Sequence, residues 1–345
     1  SDNFGSRFGA LQGVIAGASA AIVDNLINIV GRLADIPRQI AAISLGNFRD
    51  FDAELQRFTA LTGQSRDSIE PLTDEIQRLG VETTKAPTEV AALSNELVAL
   101  GATDKQVEDL LSSVVALSEA TNTDLVRAGA TLFAGEDTFG IPAAEFADDL
   151  TTLRNTTSAT VTDIDQLISK VGGTFNSLGD AADPKELIAY FATLRQGRIP
   201  AEEAATGIRG VTASLVDSAK AAELEELGIN AFDDVTGDFV GYETILRQIQ
   251  QTQQELGGNT EEFTKRLVNA FGREGLAAVT TGLAGLDTTF TTTFDNLNNN
   301  TNAAANSAAT LTQGFAGSLQ ILQGSLETLS IAFGGALAPL VQFFA

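Results

Sequence analysis

The sequence lacks several residue types on which much protein chemistry depends. Among its 345 residues there is no cysteine, no histidine, no methionine and no tryptophan. Without cysteine it has no disulfides, thiolate nucleophiles or thiolate metal ligands, and without histidine it lacks the usual acid–base group near neutral pH. Zinc sites built on those residues are therefore excluded. Because there is no methionine, we interpret the chain as an internal segment of a longer protein.

Basic residues are also scarce. There are 21 lysines and arginines against 45 acidic residues, which gives a formal net charge of −24. So acidic a chain repels a phosphate backbone, and we expect no direct binding of nucleic acid. The apolar share of 43% is enough to form a sizeable core, so disorder of the whole chain is not expected.

The motifs that mark common enzyme sites are missing as well. We find no phosphate-binding loop, no dinucleotide-binding glycine pattern and no nucleophile elbow. The adjacent acids Glu202–Glu203 and Glu225–Glu226 would point about 100° apart on a helix, which fits a solvated face better than a catalytic pair. We therefore predict no catalytic residues, no cofactor-binding residues, no metal site and no enzyme activity.

The first segment, 1–47, is apolar and rich in glycine. Gly5, Gly9, Gly13 and Gly17 recur at every fourth residue, which on a helix forms a strip that another backbone can approach closely. Residues 8–23 carry no charge, but this run is shorter than the roughly 20 residues that cross a bilayer. The strip fits either a soluble helix packed on a partner or a membrane-active segment.

Residues 48–285 are predicted to be a helical core domain made of short helices with clear ends. Gly80 and Gly101 each follow a leucine where a left-handed glycine would end a helix. Thr103 and Gln106 fit a capping box, and Asp183 followed by a proline is a strong helix start. These signals predict an all-α fold, a multi-helix array of glycine-capped helical hairpins.

One short stretch, 229–240, departs from the helical pattern. Its β-prone residues flank Thr236 and Gly237, so we predict one small β-hairpin there. Asp233, Asp234 and Asp238 do not match the spacing of a calcium-binding loop and are interpreted as turn-forming carboxylates.

The end of the chain is nearly uncharged. Residues 286–310 are rich in threonine and asparagine, which predicts a linker or a polar helix that relies on its neighbours. Residues 311–345 are predicted to form a coiled-coil-like self-association helix, because large apolar residues step by three and four along it. The predicted seam consists of Leu311, Phe315, Leu319, Leu322, Leu326, Leu329 and Phe333.

The order of these signals resembles the core region of phage tail tape measure proteins. The stretches that carry the resemblance are helix starts and glycine turns in a fixed order: 47–63, 86–92, 99–104, 117–125, 206–209, 227–246, 271–274 and 332–340. Thr206, Gly207, Ile208 and Arg209 stand where the family commonly has Gly-Thr-x-Leu-Arg. The sequence departs from the family at Ile208 and Gly210, and in the composition of 288–310.

The resemblance implies a structural role in the virion. Proteins of this family are helical rods in the lumen of the tail tube and at the tail tip, assembled in the host cytoplasm. They set tail length, organise the tail tip and baseplate, and are released at infection. The implied partners are other copies of the chain, with three preferred, together with tail-tube and tail-hub or baseplate proteins. The alternative is a membrane-active segment that aids genome ejection through the host envelope, with the host membrane as partner.

Overall fold

The computed structural model describes residues 37–255 and 260–344, and it is predominantly helical over these residues. The prediction of an all-α fold is therefore confirmed. The first helices are α1 (Pro37–Thr62), α2 (Glu70–Glu82), α3 (Pro87–Ala99), α4 (Asp104–Thr121), α5 (Leu125–Phe139), α6 (Ala143–Thr156), α7 (Val161–Phe175) and α8 (Pro184–Gln196). The later helices are α9 (Ala201–Val216), α10 (Ser218–Glu225), α11 (Tyr242–Glu255), α12 (Thr260–Gly285), α13 (Thr291–Asn298), α14 (Ala303–Thr312) and α15 (Phe315–Phe344).

By their contacts these residues form two compact units. Unit 1 contains the described residues up to Glu119 together with those from Ala308 onward. In it α15 packs against α1, α2 and α3, although more than 200 residues of sequence separate them. Unit 1 is therefore completed by a helix from the far end of the chain. The predicted four-segment division of the sequence stays a prediction.

Unit 2 spans Ala120–Ser307 and is organised around α8. Every residue of α8 from Leu187 to Leu194 is buried, and a helix that is buried on all sides is the centre of a core. The helix packs against α9, α11, α12 and α13, while α9 also packs against α7. Tyr190, Tyr242 and Phe290 form the aromatic part of this core, with ring centroids 5.6 Å and 6.3 Å from Tyr190.

Several predicted helix ends are confirmed. The Thr103 amide donates to Gln106 Oε1 at 3.0 Å and the Gln106 amide donates to Thr103 Oγ1 at 3.3 Å, which is the predicted capping box. Asp183 accepts a hydrogen bond from the Lys185 amide at 2.8 Å at the start of α8. Gly101 has the positive φ of 105° expected of a glycine that ends a helix.

The prediction for Gly80 is wrong. This glycine lies inside α2, which continues to Glu82, so it is not a C-cap. A Cβ at this position would collide with the ring of Pro87 at the start of α3. The residue is a glycine because two helices meet there, and a local sequence pattern does not distinguish that cause from a helix end.

The predicted hairpin at 229–240 is reduced to a turn with one antiparallel bridge, between Phe232 and Phe239. Asp233 accepts hydrogen bonds from the amides of Val235 and Thr236 at 2.9 Å and 2.8 Å. Gly237 has a φ of 76°, which suits the turn. The carboxylate of Asp233 is thus used to form the turn, as the sequence predicts.

The threonine- and asparagine-rich stretch 286–310 is helical over most of its length. It contains a short π-helix (Leu286–Phe290), α13 and most of α14. Leu286, Phe290 and Leu297 are fully buried in unit 2. The segment is a polar helix that relies on its neighbours, since its few large apolar residues enter the core of the unit.

Candidate functional site

The C-terminal helix α15 has one side buried against unit 1 that is made largely of small residues. The buried residues on this side of the helix are Gly324, Ser325, Thr328, Ile331 and Gly334. They lie within about half of the helix circumference at 3.6 residues per turn. Small residues therefore form the face that attaches α15 to its own chain.

Two glycines on this face allow close approach of the backbones. A Cβ on Gly324 would collide with the carbonyl oxygen of Gly80 in α2. A Cβ on Gly334 would collide with the carbonyl oxygen of Ser44 in α1 and would lie 2.6 Å from Cβ of Phe48. Because these neighbours include backbone atoms, neither position has room for a larger residue without a shift of a helix.

Two polar contacts fix the position of α15 along unit 1. Asn47 Nδ2 donates to Ser330 Oγ at 2.6 Å. The hydroxyl of Thr88, in the first turn of α3, donates to Glu327 Oε1 at 2.6 Å, and the Thr88 amide donates to the same oxygen at 3.4 Å. Glu327 is the only charged residue after Asp295, and it is used to cap the amino end of α3.

The predicted seam lies on the opposite side of α15. Leu319, Leu326 and Phe333 follow one another at intervals of seven residues and are 44%, 40% and 50% exposed. Leu322 and Leu329, on the same side, are half-buried. Nothing is described for the side chain of Phe315, and Leu311 lies on α14 with 62% of its side chain exposed. The structure thus places five of the seven predicted residues on one face of α15.

The other predicted set, Gly5, Gly9, Gly13 and Gly17, lies outside the described residues. The glycine packing in unit 1, at Gly80, Gly324 and Gly334, was missed by sequence reasoning. Gly317 and Gly324 are spaced by seven, which is a weak signal that could have identified a small-residue face on α15.

Unit 2 contains a buried polar cluster between α6, α8 and the stretch after α13. Asp149 is fully buried, and its carboxylate accepts a hydrogen bond from Asn300 Nδ2 at 2.8 Å. Lys185 Nζ lies 3.8 Å from Asp149, 2.7 Å from Glu145 and 3.1 Å from the carbonyl oxygen of Leu297. Burial raises the pKa of Asp149 to about 7, against the opposing effects of Asn300 and Lys185. The cluster holds the asparagine-rich stretch against α6.

A second buried carboxylate, Glu186, caps α11. It accepts a hydrogen bond from the Tyr242 amide at 2.7 Å. A Cβ on Gly241 would lie only 2.5 Å from Glu186 Oε2, so the carboxylate needs a glycine at this position. Gly241 also has a positive φ of 93°. Burial raises the pKa of Glu186 to about 7, although the hydrogen bond from Tyr242 opposes this. The groups of both clusters are used to join helices, and within 37–255 and 260–344 no three acidic residues are grouped as metal ligands would be.

Two of the stretches that carry the family resemblance meet in unit 2. Gly207 of α9 packs on α12, where a Cβ would lie 3.0 Å from the carbonyl oxygen of Glu274 and 3.0 Å from Cβ of Ala278. Gly272 interrupts α12 with a φ of 71°. Stretches 206–209 and 271–274 therefore form the crossing of α9 and α12, which is a structural arrangement.

Comparisons with known proteins agree with this structural character. The family of phage-related minor tail proteins matches residues 73–272, which is more than half of the chain. The chain belongs to this family. It is also similar to the tape measure protein of Pneumococcus phage Dp-1, with 23% identity over 305 residues, 87% of this chain. The resemblance to tail tape measure proteins, drawn from the order of motifs, is confirmed.

The match covers only 26% of the Dp-1 protein, so this chain spans about a quarter of the length of that relative. No solved structure matches the chain significantly. Among the helices that the structure describes, none combines the length and the apolar character that crossing a bilayer requires. As a member of the family of phage-related minor tail proteins, the chain is a phage tail structural protein, and its virion location is the tail.

Proposed function

We propose that this chain is the core region of a tape measure protein that sets tail length and organises the tail tip and baseplate. The observation that carries the proposal is the family match across 73–272 together with the similarity to a tape measure protein over most of the chain. The helices described here are joined through packing and capping contacts, and no role in the proposal requires a chemical step. We accordingly propose a structural role without catalysis.

A helical chain has the physical properties of a ruler. A continuous α-helix rises 1.5 Å per residue, so one of 345 residues would span roughly 520 Å, whereas the described helices of this chain pack into two compact units. The net charge of −24 favours a place in the lumen of the tail tube, because an acidic chain does not retain the DNA that passes through. The proposed partners are tail-tube and tail-hub proteins. We also propose that the chain is released from the tail at infection.

The test is deletion of whole helical turns from the full-length gene. Deletions outside the family match, which spare the core that organises the tip, are expected to shorten tails in proportion to the residues removed. A substitution series that leaves the number of residues unchanged is the matched control. Tails of unchanged length with normal assembly would show that the deleted part does not measure. Cleavage of cell-wall material by the purified chain would contradict a role without catalysis.

A second candidate function is a membrane-active segment that aids genome ejection. The observation that favours it is the row of exposed Leu319, Leu326 and Phe333 on a nearly uncharged helix. The glycine strip at 5–17 belongs to the same proposal. Leakage of anionic vesicles caused by peptides covering 1–47 and 311–345 is the expected result, and peptides that neither partition into vesicles nor cause leakage would remove this candidate.

A further inference from the structure

We infer that the exposed apolar face of α15 binds the same face of other copies of this chain, in parallel and in register, while the opposite face stays attached to its own unit 1. This surface, called the leucine face, consists of Leu319, Leu322, Leu326, Leu329 and Phe333. The parallel direction rests on the proposed function, in which all copies run the same way along a tail.

The first argument is that one side of α15 is packed against unit 1 and the other side is exposed. The small-residue side, which includes Gly324 and Gly334, is already packed on α1 and α2. The leucine face points away from it, with Leu319, Leu326 and Phe333 between 40% and 50% exposed. Large apolar side chains repeated on one helix face are the usual mark of a contact surface.

The second argument is the spacing. Leu319, Leu326 and Phe333 are seven residues apart, and Leu322 and Leu329 repeat the interval three residues later. A seven-residue repeat with two apolar positions keeps a seam facing a second helix that has the same repeat. A second copy of α15 has that repeat by necessity, whereas an unrelated surface would not.

The third argument is charge. The chain carries a formal charge of −24, so two copies repel through most pairs of faces. After Asp295 the only charged residue is Glu327, and its carboxylate is bonded to Thr88 of its own chain. The leucine face therefore lets identical acidic chains meet without bringing like charges together.

The flanks of the face favour protein over lipid as its occupant. Ser318 and Gln323 are exposed on the two sides of the apolar row. A helix that lies in a membrane interface needs a broader apolar face than two rows, and its polar side is usually basic. A narrow apolar seam with uncharged polar flanks fits a helix–helix contact.

The absence of cysteine allows a direct test of the contact and its direction. In the 345-residue chain, Leu319→Cys, Leu326→Cys and Phe333→Cys would each carry a single thiol, with Gln320→Cys as the matched control on another side of the helix. Under mild oxidation, a parallel seam is expected to give a covalent dimer with each of the three variants and little with the control. Self-linking at 326 only, with 319 linking to 333 in a mixture, would overturn the parallel register.

Sedimentation equilibrium tests the association itself. The unmodified chain is expected to associate with rising concentration, and Leu326→Asp is expected to weaken this association by more than about tenfold because a charge would be buried in the seam. Gln320→Asp adds the same charge off the face and is expected to leave association unchanged. Since Leu326 points away from unit 1, both variants are expected to melt like the parent chain.

A parent chain that is monomeric at all concentrations would overturn the inference. So would a chain that binds vesicles through Leu326 while its copies do not associate with one another. This failure is distinguishable from failure of the proposed function. If copies did not associate but tail length still changed with deletions elsewhere in the gene, only the inference about the leucine face would be wrong. If copies associated but no deletion changed tail length, only the proposed role in setting tail length would be wrong.

Discussion

Glycine in this protein serves two separate purposes at the scale of the single residue. Gly101 and Gly237 supply positive φ values of 105° and 76° where the chain turns. Gly324 and Gly334 lie inside α15 and have no positive φ. They matter because they lack a Cβ, which lets the backbone of α15 approach α2 and α1. The need for a positive φ is local and can be predicted from flanking residues, whereas the need for a missing Cβ depends on which helix packs against the glycine.

Substitution of Gly334 by alanine is expected to destabilise unit 1 by about 1–3 kcal/mol, because the new methyl group would overlap the Ser44 carbonyl and Cβ of Phe48. Gly46→Ala, in α1 with nothing within 4 Å of the added Cβ, is the matched control and is expected to be neutral or to stabilise by about 0.5–1 kcal/mol. Urea unfolding of both variants measures the difference. Equal stability of the two would contradict close packing at Gly334.

Burial of Asp149 and Glu186 makes unit 2 sensitive to pH. Burial raises the pKa of each to about 7, from ordinary values of 3.8 and 4.5. Between these ordinary values and about 7 the folded chain binds more protons than the unfolded chain. The free energy of unfolding therefore falls as pH rises through that window. Lys185 and Asn300 face Asp149, and the Tyr242 amide faces Glu186, so the ionised forms still have partners.

We expect unit 2 to melt several degrees higher at pH 5.5 than at pH 8. The double variant Asp149→Asn, Glu186→Gln is expected to lose most of this dependence, because its side chains do not titrate. A variant at an exposed acid, Glu203→Gln, is the control and is expected to keep the slope of the parent chain. Thermal unfolding followed by circular dichroism at several pH values decides between these outcomes, and a parent chain that gains stability toward pH 8 would refute the prediction.

At the scale of the element, helix starts are the most predictable feature. Asp183 with Pro184, and Thr103 with Gln106, form the caps that their sequence predicts, because a cap involves residues two or three positions apart. The cap of α3 is only partly predictable in this way. Glu89 accepts a hydrogen bond from the amide of the N-cap residue Ala86 at 3.0 Å, three positions away. The second carboxylate at its first turn comes from Glu327, more than 200 residues away, and accepts from Thr88.

The contact between Glu327 and Thr88 is expected to couple α15 to α3 by about 1 kcal/mol in a double-mutant cycle. The cycle uses Glu327→Gln, Thr88→Val and the two together, with the free energy of unfolding of unit 1 as the readout. Each single change is expected to destabilise, and the pair to cost less than their sum. Additive effects would show that the contact contributes nothing to the attachment of α15.

At the scale of the whole molecule, contacts group the described residues into two units. Unit 1 is closed by α15, and unit 2 forms from 120–307 with α8 at its centre. Hydrophobic periodicity along the chain does not predict that α15 packs on α1 and α2, because it shows which face of a helix is apolar but not which helix covers that face.

Removal of residues 313–345 is therefore expected to weaken unit 1 selectively. Without α15 the small-residue contacts at Ser44 and Gly80 are lost, and the backbone amides of α1 and α2 are expected to exchange faster with deuterium. Amides of α8 are expected to keep their protection, since α8 lies at the centre of unit 2. Uniform loss of protection in both units, or none in α1, would contradict the role given to α15.

The amino-acid sequence by itself determined the helical class, most helix starts, the family and the repeat of large apolar residues on α15. Those properties depend on residues a few positions apart or on their order along the chain. Only the tertiary structure decided which side of α15 is buried. Helices approach most closely where side chains are smallest, so the glycine side packs on unit 1 and the leucines are left exposed on the opposite side.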